Sequence, residues 1–381
     1  MPPLSINRRR FLGCSAAGLA ITQGRGSEAS TTASEVRLGV IGLGNRGTSL
    51  LRTALEIPQV RVTALADFDP KHRLRAQGIV EKASGYRPEG LETPARLLER
   101  TDVDAVLVAL PCDLHASVYI QAIRAGKGLY GEKPLAPSLA DCDRVIAEAD
   151  RYPEAIVHVG FQRRSNPRYR EAIAALSQGE AGELISGQGV WTSSNGPMNG
   201  HRDWLGSRER SGDWMVEQAV HVWDVYRWLL GSSPVRVVGG GRRDLFAKSQ
   251  PTRDVSDDYS AQLFWADGFH LTFHQSWVVP ADEGFTGNSQ RVVGTEGGID
   301  LSVGTLIYRD RSKPRKAFHP GVQPDTKNAL MAFLEAVRSD EPMTPPIRLA
   351  EAREATRIGL MVRDAVDRGI SDDGSASVNV S

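Results

Sequence analysis

The 381-residue sequence has few cysteines, no net charge and no long apolar run. Its cysteines are Cys14, Cys112 and Cys142, and they show neither the spacing of a metal site nor a disulfide framework. Lys plus Arg and Asp plus Glu both number 46, so charge gives no reason to expect a nucleic acid or an anionic membrane as a partner. A chain of this length can form two domains that rely on apolar cores.

The first 34 residues have the pattern of an export leader. Three arginines at positions 8–10 precede a weakly apolar stretch at residues 11–21. That stretch is too short to span a bilayer, and its Gly and Ala content suits the twin-arginine pathway, which transports folded proteins. We therefore expect a twin-arginine signal and linker over residues 1–34, the export machinery as a partner, and a periplasmic or otherwise exported mature protein outside the membrane. The alternative is a disordered basic N-terminus.

Residues 35–159 alternate between apolar runs and helical stretches. The apolar runs are typical of buried parallel strands and lie at residues 38–41, 60–65, 105–110 and 156–159. Helical patterns lie at residues 48–55, 70–84, 114–125 and 139–150. Right-handed crossovers of this kind build a doubly wound parallel sheet, so we expect an α/β domain here.

The pattern changes over residues 160–371. A helix is expected at residues 167–177, a strand at 184–192 and an apolar-aromatic helix at 214–230. Several strands without intervening helices then favour a mostly antiparallel sheet, and helices at 326–338 and 349–368 follow. We expect a second, α+β domain over residues 160–371 and a flexible tail over residues 372–381.

A glycine-rich turn follows the first predicted strand. Gly42 permits a tight turn, Gly44 lets the backbone approach a pyrophosphate, and Gly47 lets helix and strand pack closely. Asn45 and Arg46 lie between them, at the start of a helix whose N–H groups can bind phosphate. This pattern predicts a dinucleotide site, against the alternative of glycines in ordinary turns.

The second predicted strand ends at Asp67. An acidic side chain at this place can accept hydrogen bonds from the ribose hydroxyls of the adenosine. No Arg directly follows Asp67, so the sequence favours NAD over NADP as the cofactor.

Lys133 lies between Glu132 and Pro134, after a short predicted strand at residues 128–130. A Lys at the carboxyl end of a parallel strand points into the crevice where the cofactor lies. Desolvation or a nearby cation can bring its ammonium toward neutrality, so that it takes a proton from an alcohol as hydride leaves. Taken alone, a Lys-Pro pair is more often part of a surface loop.

The predicted helix at residues 214–230 carries a polar stripe. Glu217, His221 and Asp224 are spaced i, i+4 and i+7, which places them on one helical face. A substrate sugar could satisfy this stripe, whereas no metal is expected because no second His accompanies it. We expect Asp224 to be structural.

The loop before this helix is rich in residues that bind sugars. Trp204 offers a ring that can stack on a pyranose, and Arg202 and Asp203 can bond hydroxyls. A solvated surface loop is an equal alternative.

These motifs together resemble the Gfo/Idh/MocA family of oxidoreductases over residues 36–368. The resemblance implies a Rossmann domain followed by an open-faced sheet domain, with homo-oligomers, dimers or tetramers, formed through the exposed sheet. The family's Glu-Lys-Pro motif falls on residues 132–134, which makes Lys133 the expected catalytic lysine. Its Asp-x-x-x-His-x-x-Asp motif falls on Glu217, His221 and Asp224, with Glu217 where many dehydrogenases have Asp.

The resemblance implies further site residues. Pro111 and His115 match the loop that flanks the nicotinamide, and residues 159–164 match a segment near the active site. We therefore expect Pro111, His115, Glu132 and Gln162 to contact the cofactor and Arg164 to contact the substrate.

The expected activity is NAD-dependent oxidation of a sugar or sugar derivative. Lys133 would remove a hydroxyl proton, His221 would hold the hydroxyl or share the proton relay, and Glu217 would orient His221 or the sugar. Free NAD is scarce outside the cytoplasm, so an exported enzyme would keep and recycle its cofactor. Two alternatives stay open: an NAD-dependent glycoside hydrolase or lyase acting by transient oxidation and elimination, and a ligand-sensing protein without catalysis.

Overall fold

Two β-sheets, one of six strands and one of eight, organise the residues that the structure describes. The computed structural model describes residues 35–197, 200–321, 325–339 and 343–371, without the side chains of residues 201, 202, 370 and 371. The predicted leader at residues 1–34 and the predicted tail at residues 372–381 lie outside these ranges. Among the described helices, none combines the length and the apolar character needed to cross a bilayer.

The first sheet is parallel, with the strand order β3-β2-β1-β4-β5-β6. Its strands are β1 Val36–Ile41, β2 Val60–Ala66, β3 Glu89–Leu91, β4 Ala105–Val108, β5 Gly128–Gly131 and β6 Val157–Val159. The accompanying helices are α1 Asn45–Leu55, α2 Pro70–Ser84, α3 Pro94–Leu98, α4 His115–Arg124 and α5 Leu139–Ala149. The order reverses between β1 and β4, which opens a crevice at the carboxyl edge. Helices on both faces require strands that are apolar throughout, and β4 is buried at every position.

The second sheet has the order β14-β13-β12-β11-β7-β10-β9-β8 and is antiparallel except where β7 pairs with β10. Its strands are β7 Leu184–Thr192, β8 Arg236–Arg242, β9 Asp258–Phe264, β10 His270–Ser276, β11 Gly287–Gly294, β12 Gly297–Asp300, β13 Thr305–Tyr308 and β14 Lys316–Ala317. The remaining helices are α6 Pro167–Ser177, α7 Arg208–Ser211, α8 Trp214–Glu217, α9 Val220–Leu230, α10 Asp325–Arg338 and α11 Leu349–Ser371. The predicted fold class, a doubly wound parallel sheet followed by a mostly antiparallel one, is confirmed.

Small residues in β7 let α9 pack closely on the second sheet. A Cβ at Gly187 would lie 2.7 Å from Cε1 of Tyr226, and one at Gly189 would lie 3.3 Å from Cγ1 of Val222. The aromatic residues of α9 therefore fill the inner face of the sheet, and they hold α9 in a fixed position beside the crevice.

Helix α10 returns from the C-terminal part of the chain to the first sheet. Leu330 and Phe333 are buried in the same core cluster as Val40 of β1, and the rings of Phe333 and Tyr130 lie 5.8 Å apart. At the start of α10, Oγ1 of Thr326 accepts a hydrogen bond of 3.3 Å from Nη1 of Arg46. The order of elements along the chain does not by itself indicate that α10 packs against the first sheet.

The prediction of one continuous helix over residues 214–230 is wrong. Helix α8 ends at Glu217, and α9 begins at Val220. The indole N–H of Trp223 donates a 2.7 Å hydrogen bond to the carbonyl of Met215. This bond satisfies a backbone carbonyl of α8 close to the break between the two helices. The i, i+4, i+7 spacing therefore does not place Glu217 on the helix that carries His221 and Asp224.

Candidate functional site

The glycine-rich turn has the geometry of a phosphate cradle. Gly42 adopts a φ of +83°, and a Cβ at Gly47 would lie 1.8 Å from the carbonyl oxygen of Gly42, so both positions require glycine. A Cβ at Gly44 would meet no atom within 4 Å, which leaves its backbone open to a ligand. Helix α1 begins at the exposed Asn45 without a side-chain cap, so its first N–H groups can bind phosphate. These residues fit a dinucleotide.

Asp67 lies at the end of β2, beside the turn. It is only 8% exposed; its Oδ2 accepts a 2.7 Å hydrogen bond from the backbone N–H of Leu43, and its Oδ1 accepts one of 2.8 Å from that of Asp69. The carboxylate therefore fixes the glycine turn against β2. The sequence prediction missed Arg73, whose guanidinium donates to the carbonyls of Asp67 and Phe68 at 2.6 and 3.1 Å.

Lys133 and Glu217 form an ion pair across the crevice. Nζ of Lys133 lies 2.7 Å from Oε1 of Glu217 and also donates to the carbonyl oxygen of Glu217 at 2.5 Å. The loop that carries Lys133 is held by Tyr119, whose hydroxyl donates to the carbonyl of Glu132 at 2.6 Å. The position of the ammonium is thus set from both sides of the crevice.

The structure corrects the expected charge state of Lys133. Burial lowers the pKa of its ammonium and is the largest single effect, but the interactions with Glu217, Cys112 and Glu132 together outweigh it, and the pKa of Lys133 is raised above its ordinary value. The expectation that desolvation or a cation brings Lys133 toward neutrality is therefore wrong for the protein alone. At neutral pH Lys133 is an ammonium paired with a carboxylate.

His221 is the neutral member of the site. Its side chain lies on α9, with the rings of Phe161 and Trp191 at centroid distances of 6.0 and 6.3 Å. Burial, followed by the charges of Arg163, Lys133 and Arg46, lowers the pKa of His221 well below its ordinary value. Within the described part of the chain, Nδ1 of His221 is buried and has no hydrogen-bond partner. A neutral imidazole of this kind can accept a proton.

A second ion pair links the glycine turn to the Lys133 loop. Nε of Arg46 lies 2.7 Å from Oε1 of Glu132, whose side chain is buried, and Gly160 packs against the Glu132 carboxylate. Among the described residues, Nη2 of Arg46 and Oε1 of Gln162 are buried without partners. Arg46 and Gln162 thus each keep a buried polar atom that the described residues leave unsatisfied, whereas the Glu132 carboxylate is engaged by Arg46.

Arg164 does not occupy the place predicted for it. Its guanidinium is buried, donates three hydrogen bonds of 2.7 to 3.1 Å to Asp224, and lies over the ring of Trp228 at 4.6 Å. The side chain that was expected to contact a substrate instead neutralises a buried carboxylate. Asp224 is structural, as expected.

His115 also has a different role from the predicted cofactor contact. It is buried, with Nδ1 at 2.8 Å from the carbonyl oxygen of Pro134 and Nε2 at 2.9 Å from that of Leu110. Burial lowers the pKa of His115, and a neutral imidazole donates to only one of the two carbonyls. His115 therefore braces the Lys133 loop against the loop after β4. Pro111, half-buried, precedes the 3₁₀ turn Cys112–Leu114.

The predicted sugar-binding loop forms the 3₁₀ helix His201–Gly206. The side chain of Arg202 lies outside the described residues. Asp203 is exposed with a φ of +55°, and the indole of Trp204 packs on Gly200, where a Cβ would overlap it. No described contact joins Asp203 or Trp204 to Lys133 or His221, so their predicted role gains no support from the geometry.

The described residues contain no group of three or more His, Cys, Asp or Glu side chains placed to hold a metal ion. The site instead consists of a cradle for a dinucleotide, a charged Lys133–Glu217 pair and a neutral His221. Sequence reasoning missed Tyr119 and Trp191, and it placed Arg163 near the active site only as part of the matched segment at residues 159–164, without a role. Their contacts join different elements, and no local spacing signals them.

Comparisons with known proteins agree with the fold and the dinucleotide cradle described above. Residues 36–161 match the oxidoreductase family with an NAD-binding Rossmann fold, and residues 169–300 match the GFO/IDH/MocA C-terminal domain. Inositol 2-dehydrogenase 1 of Saccharopolyspora erythraea is 33% identical over 204 residues, which cover 53% of this chain and 56% of that protein. Inositol 2-dehydrogenase of Acidothermus cellulolyticus is 32% identical over 253 residues, covering 62% of this chain and 69% of the relative.

Solved structures show the same fold. The crystal structure of aldose-aldose oxidoreductase from Caulobacter crescentus complexed with glycerol superposes with a TM-score of 0.72 at 22% identity, covering 88% of this chain and 98% of that one. The chain belongs to the Gfo/Idh/MocA family of oxidoreductases, and its first domain is an NAD-binding Rossmann domain. It spans little more than half the length of the first of these relatives.

Proposed function

We propose that this protein oxidises a sugar or sugar derivative by transferring hydride to NAD. The observation that carries the proposal is the 2.7 Å pair between Lys133 and Glu217, beside the neutral His221, at the carboxyl edge of the NAD-binding sheet. The relatives named as inositol 2-dehydrogenases support a polyol as substrate.

The glycine turn and Asp67 would hold the cofactor. The open backbone at Gly44 and the uncapped start of α1 suit the pyrophosphate, and Asp67 suits the ribose hydroxyls. When bound, NAD supplies a ring that accepts hydride.

Lys133, His221 and Glu217 would each have a separate role at the substrate hydroxyl group. Lys133, kept charged by Glu217, would donate a hydrogen bond to the hydroxyl oxygen and stabilise negative charge as it develops there. His221, held neutral by burial and neighbouring cations, would accept the hydroxyl proton. Glu217 would orient Lys133 rather than contact the reacting atoms.

We also propose that the protein is exported and retains its cofactor. The twin-arginine pattern within residues 1–34 supports transport of a folded, loaded protein through that pathway to the periplasm or beyond. Because free NAD is scarce there, each catalytic cycle would return the cofactor to its starting state, with the carbonyl group of a second sugar accepting the hydride from the reduced nicotinamide and a proton. The resemblance to the family supports a homo-oligomer built on the outer face of the second sheet, where Ser260, Gln262 and Thr272 are exposed along β9 and β10.

The test is to purify the full chain without added cofactor, assay it for bound NAD, and then supply NAD with inositols, aldoses and glycosides. Appearance of the reduced-nicotinamide absorbance together with a ketone product by mass spectrometry supports the proposal. Release of an aglycone would instead favour the glycoside hydrolase or lyase alternative. Sugar binding without chemistry would favour ligand sensing.

A further inference from the structure

Arg163 differs from the other cations of the crevice. Arg46 pairs with Glu132, Lys133 with Glu217 and Arg164 with Asp224, each at 2.7 Å. Among the described residues no ion pair includes Arg163. The three pairs are neutral in sum, whereas the charge of Arg163 is not neutralised by an ion pair among the described residues.

The guanidinium of Arg163 retains hydrogen-bonding capacity. Its Nη2 makes one long contact of 3.4 Å with Oδ1 of Asn288. Its Nη1 is buried and has no hydrogen-bond partner within the described part of the chain. A buried charged donor without a partner is costly, and a ligand oxygen placed there would remove that cost.

Aromatic side chains hold this guanidinium in place. It lies over the rings of Trp191 and Tyr169, at 5.5 and 5.7 Å from their centroids. Tyr169 is itself fixed, because its hydroxyl donates a 2.9 Å hydrogen bond to Gln290. The ring of Trp191 also contacts the ring of His221, so Arg163 faces the same part of the crevice as the proposed proton acceptor.

Asp325 is the acidic residue that must be considered as a partner of Arg163. Burial raises the pKa of Asp325, while a hydrogen bond from Asn166 and the charge of Arg163 oppose that rise. Nδ2 of Asn166 donates to the Asp325 carboxylate at 2.7 Å, and no contact within 4.0 Å joins that carboxylate to Arg163. The Asp325 carboxylate therefore partly offsets the charge of Arg163 without accepting hydrogen bonds from the guanidinium.

We infer that Arg163 binds the carboxylate of an acidic sugar, such as an aldonate or a uronate, and so sets the substrate class of the proposed oxidoreductase. This inference rests on the proposed function. The planar fork of an arginine matches a carboxylate, and the sugar bound there would present a hydroxyl group to Lys133 and His221. A neutral polyol, the substrate type that the names of the relatives indicate, would bind Arg163 through hydroxyl oxygens alone, without the charge of a carboxylate.

The experiment measures binding of matched sugars to the NAD-loaded full chain by calorimetry. Glucuronate is compared with glucose, and galacturonate with galactose. Because a hydrogen bond to a charged group contributes about 1.5–3 kcal/mol, the acidic sugar of a pair should bind about 10–100-fold more tightly. Arg163→Gln should abolish this preference, Arg163→Lys should keep part of it, and the exposed Arg311→Gln should leave it unchanged.

The ratio of the two affinities separates recognition from a structural role. Loss of packing on Trp191 would weaken both sugars equally, whereas loss of carboxylate binding weakens only the acidic one. Equal affinity for both sugars in the wild type, an unchanged ratio in Arg163→Gln, or tighter binding of glucose 6-phosphate than of glucuronate in the same assay would each overturn the inference. Failure of NAD to bind the unliganded protein would instead count against the proposed function itself.

Discussion

Oε1 of Glu217 lies 2.7 Å from Nζ of Lys133, although the two residues are 84 positions apart in the chain. Lys133 follows a strand of the parallel sheet, and Glu217 ends the short helix that precedes α9. The pair joins the carboxyl edge of the first sheet to the short helix that precedes α9. Burial lowers the pKa of the lysine, and the Glu217 carboxylate is the first of the groups that together raise it above its ordinary value.

Replacing Glu217 by Gln should reduce kcat/KM by about 10–100-fold, since it removes a charge-assisted hydrogen bond that orients Lys133. Glu217→Asp is the matched control, because it keeps the carboxylate on a shorter side chain. It should retain more activity than Glu217→Gln. If the amide variant matches the wild type in steady-state kinetics, the ion pair has no part in turnover.

Lys133→Met should abolish turnover while leaving NAD binding and folding intact. Loss of a group that positions and polarises the hydroxyl should reduce kcat by about 10²–10⁴-fold. NAD affinity by calorimetry and the circular dichroism spectrum serve as controls on the same sample. A folded variant that turns over at the normal rate would remove Lys133 from the mechanism.

The pH profile of kcat/KM should report the protonation of His221. A proton acceptor works in its neutral form, and the pKa of His221 is lowered by burial and by neighbouring cations. Activity should therefore stay level as the pH falls from neutral through the ordinary histidine pKa of about 6.5, and decline only at lower pH. Arg163→Gln removes one of those cations and should move the decline to higher pH. A wild-type decline that begins above neutral pH contradicts this assignment.

Asp67 should control both cofactor choice and the glycine turn. Asp67→Asn keeps an oxygen that can accept the hydrogen bond from Leu43, but it removes the charge that repels a 2′-phosphate. We expect weaker NAD binding and less discrimination against NADP, measured by fluorescence titration. Asp67→Ser should weaken NAD binding further because the turn loses its support. Isolation of the wild type with NADP bound would refute the assignment.

His158 should make the protein less stable in acid. Burial lowers its pKa to about 4, so between pH 6.5 and 4 the unfolded chain binds a proton that the folded chain does not. Stability is therefore lost as the pH falls through this window, by up to about 3 kcal/mol at its lower end. Urea unfolding of His158→Leu should show a correspondingly smaller change with pH, while the exposed His270→Leu should behave as the wild type.

Much of the fold could be predicted because local signals were strong. The bounds of α6 and β7 agree with the sequence prediction, and Asn166 caps α6 before its proline. The break between α8 and α9 could not be predicted, since the apolar pattern continues through it and its support comes from Trp223. Strand β14 has two residues, too few for any pattern.

The candidate site could also be predicted only in part from the sequence. Motifs predicted Lys133, Glu217 and His221, and the structure brings them together. Of the adjacent arginines, the sequence favoured Arg164 as the substrate contact, but the short 3₁₀ turn Gln162–Ser165 directs Arg164 to the buried Asp224 and leaves Arg163 at the crevice. Which of two neighbours faces a crevice depends on contacts from distant elements, and spacing does not record those contacts.

The most direct test of the account is a single-turnover measurement with the full chain and NAD in equal amounts. Sugar acids, neutral sugars and inositols are mixed in turn, and the reduced-nicotinamide absorbance is followed from the first moments. We predict that absorbance appears on the enzyme within one turnover for a substrate that calorimetry shows to bind, and that Lys133→Met prevents it. Binding of both NAD and the sugar with no absorbance change at any time would contradict hydride transfer in this crevice.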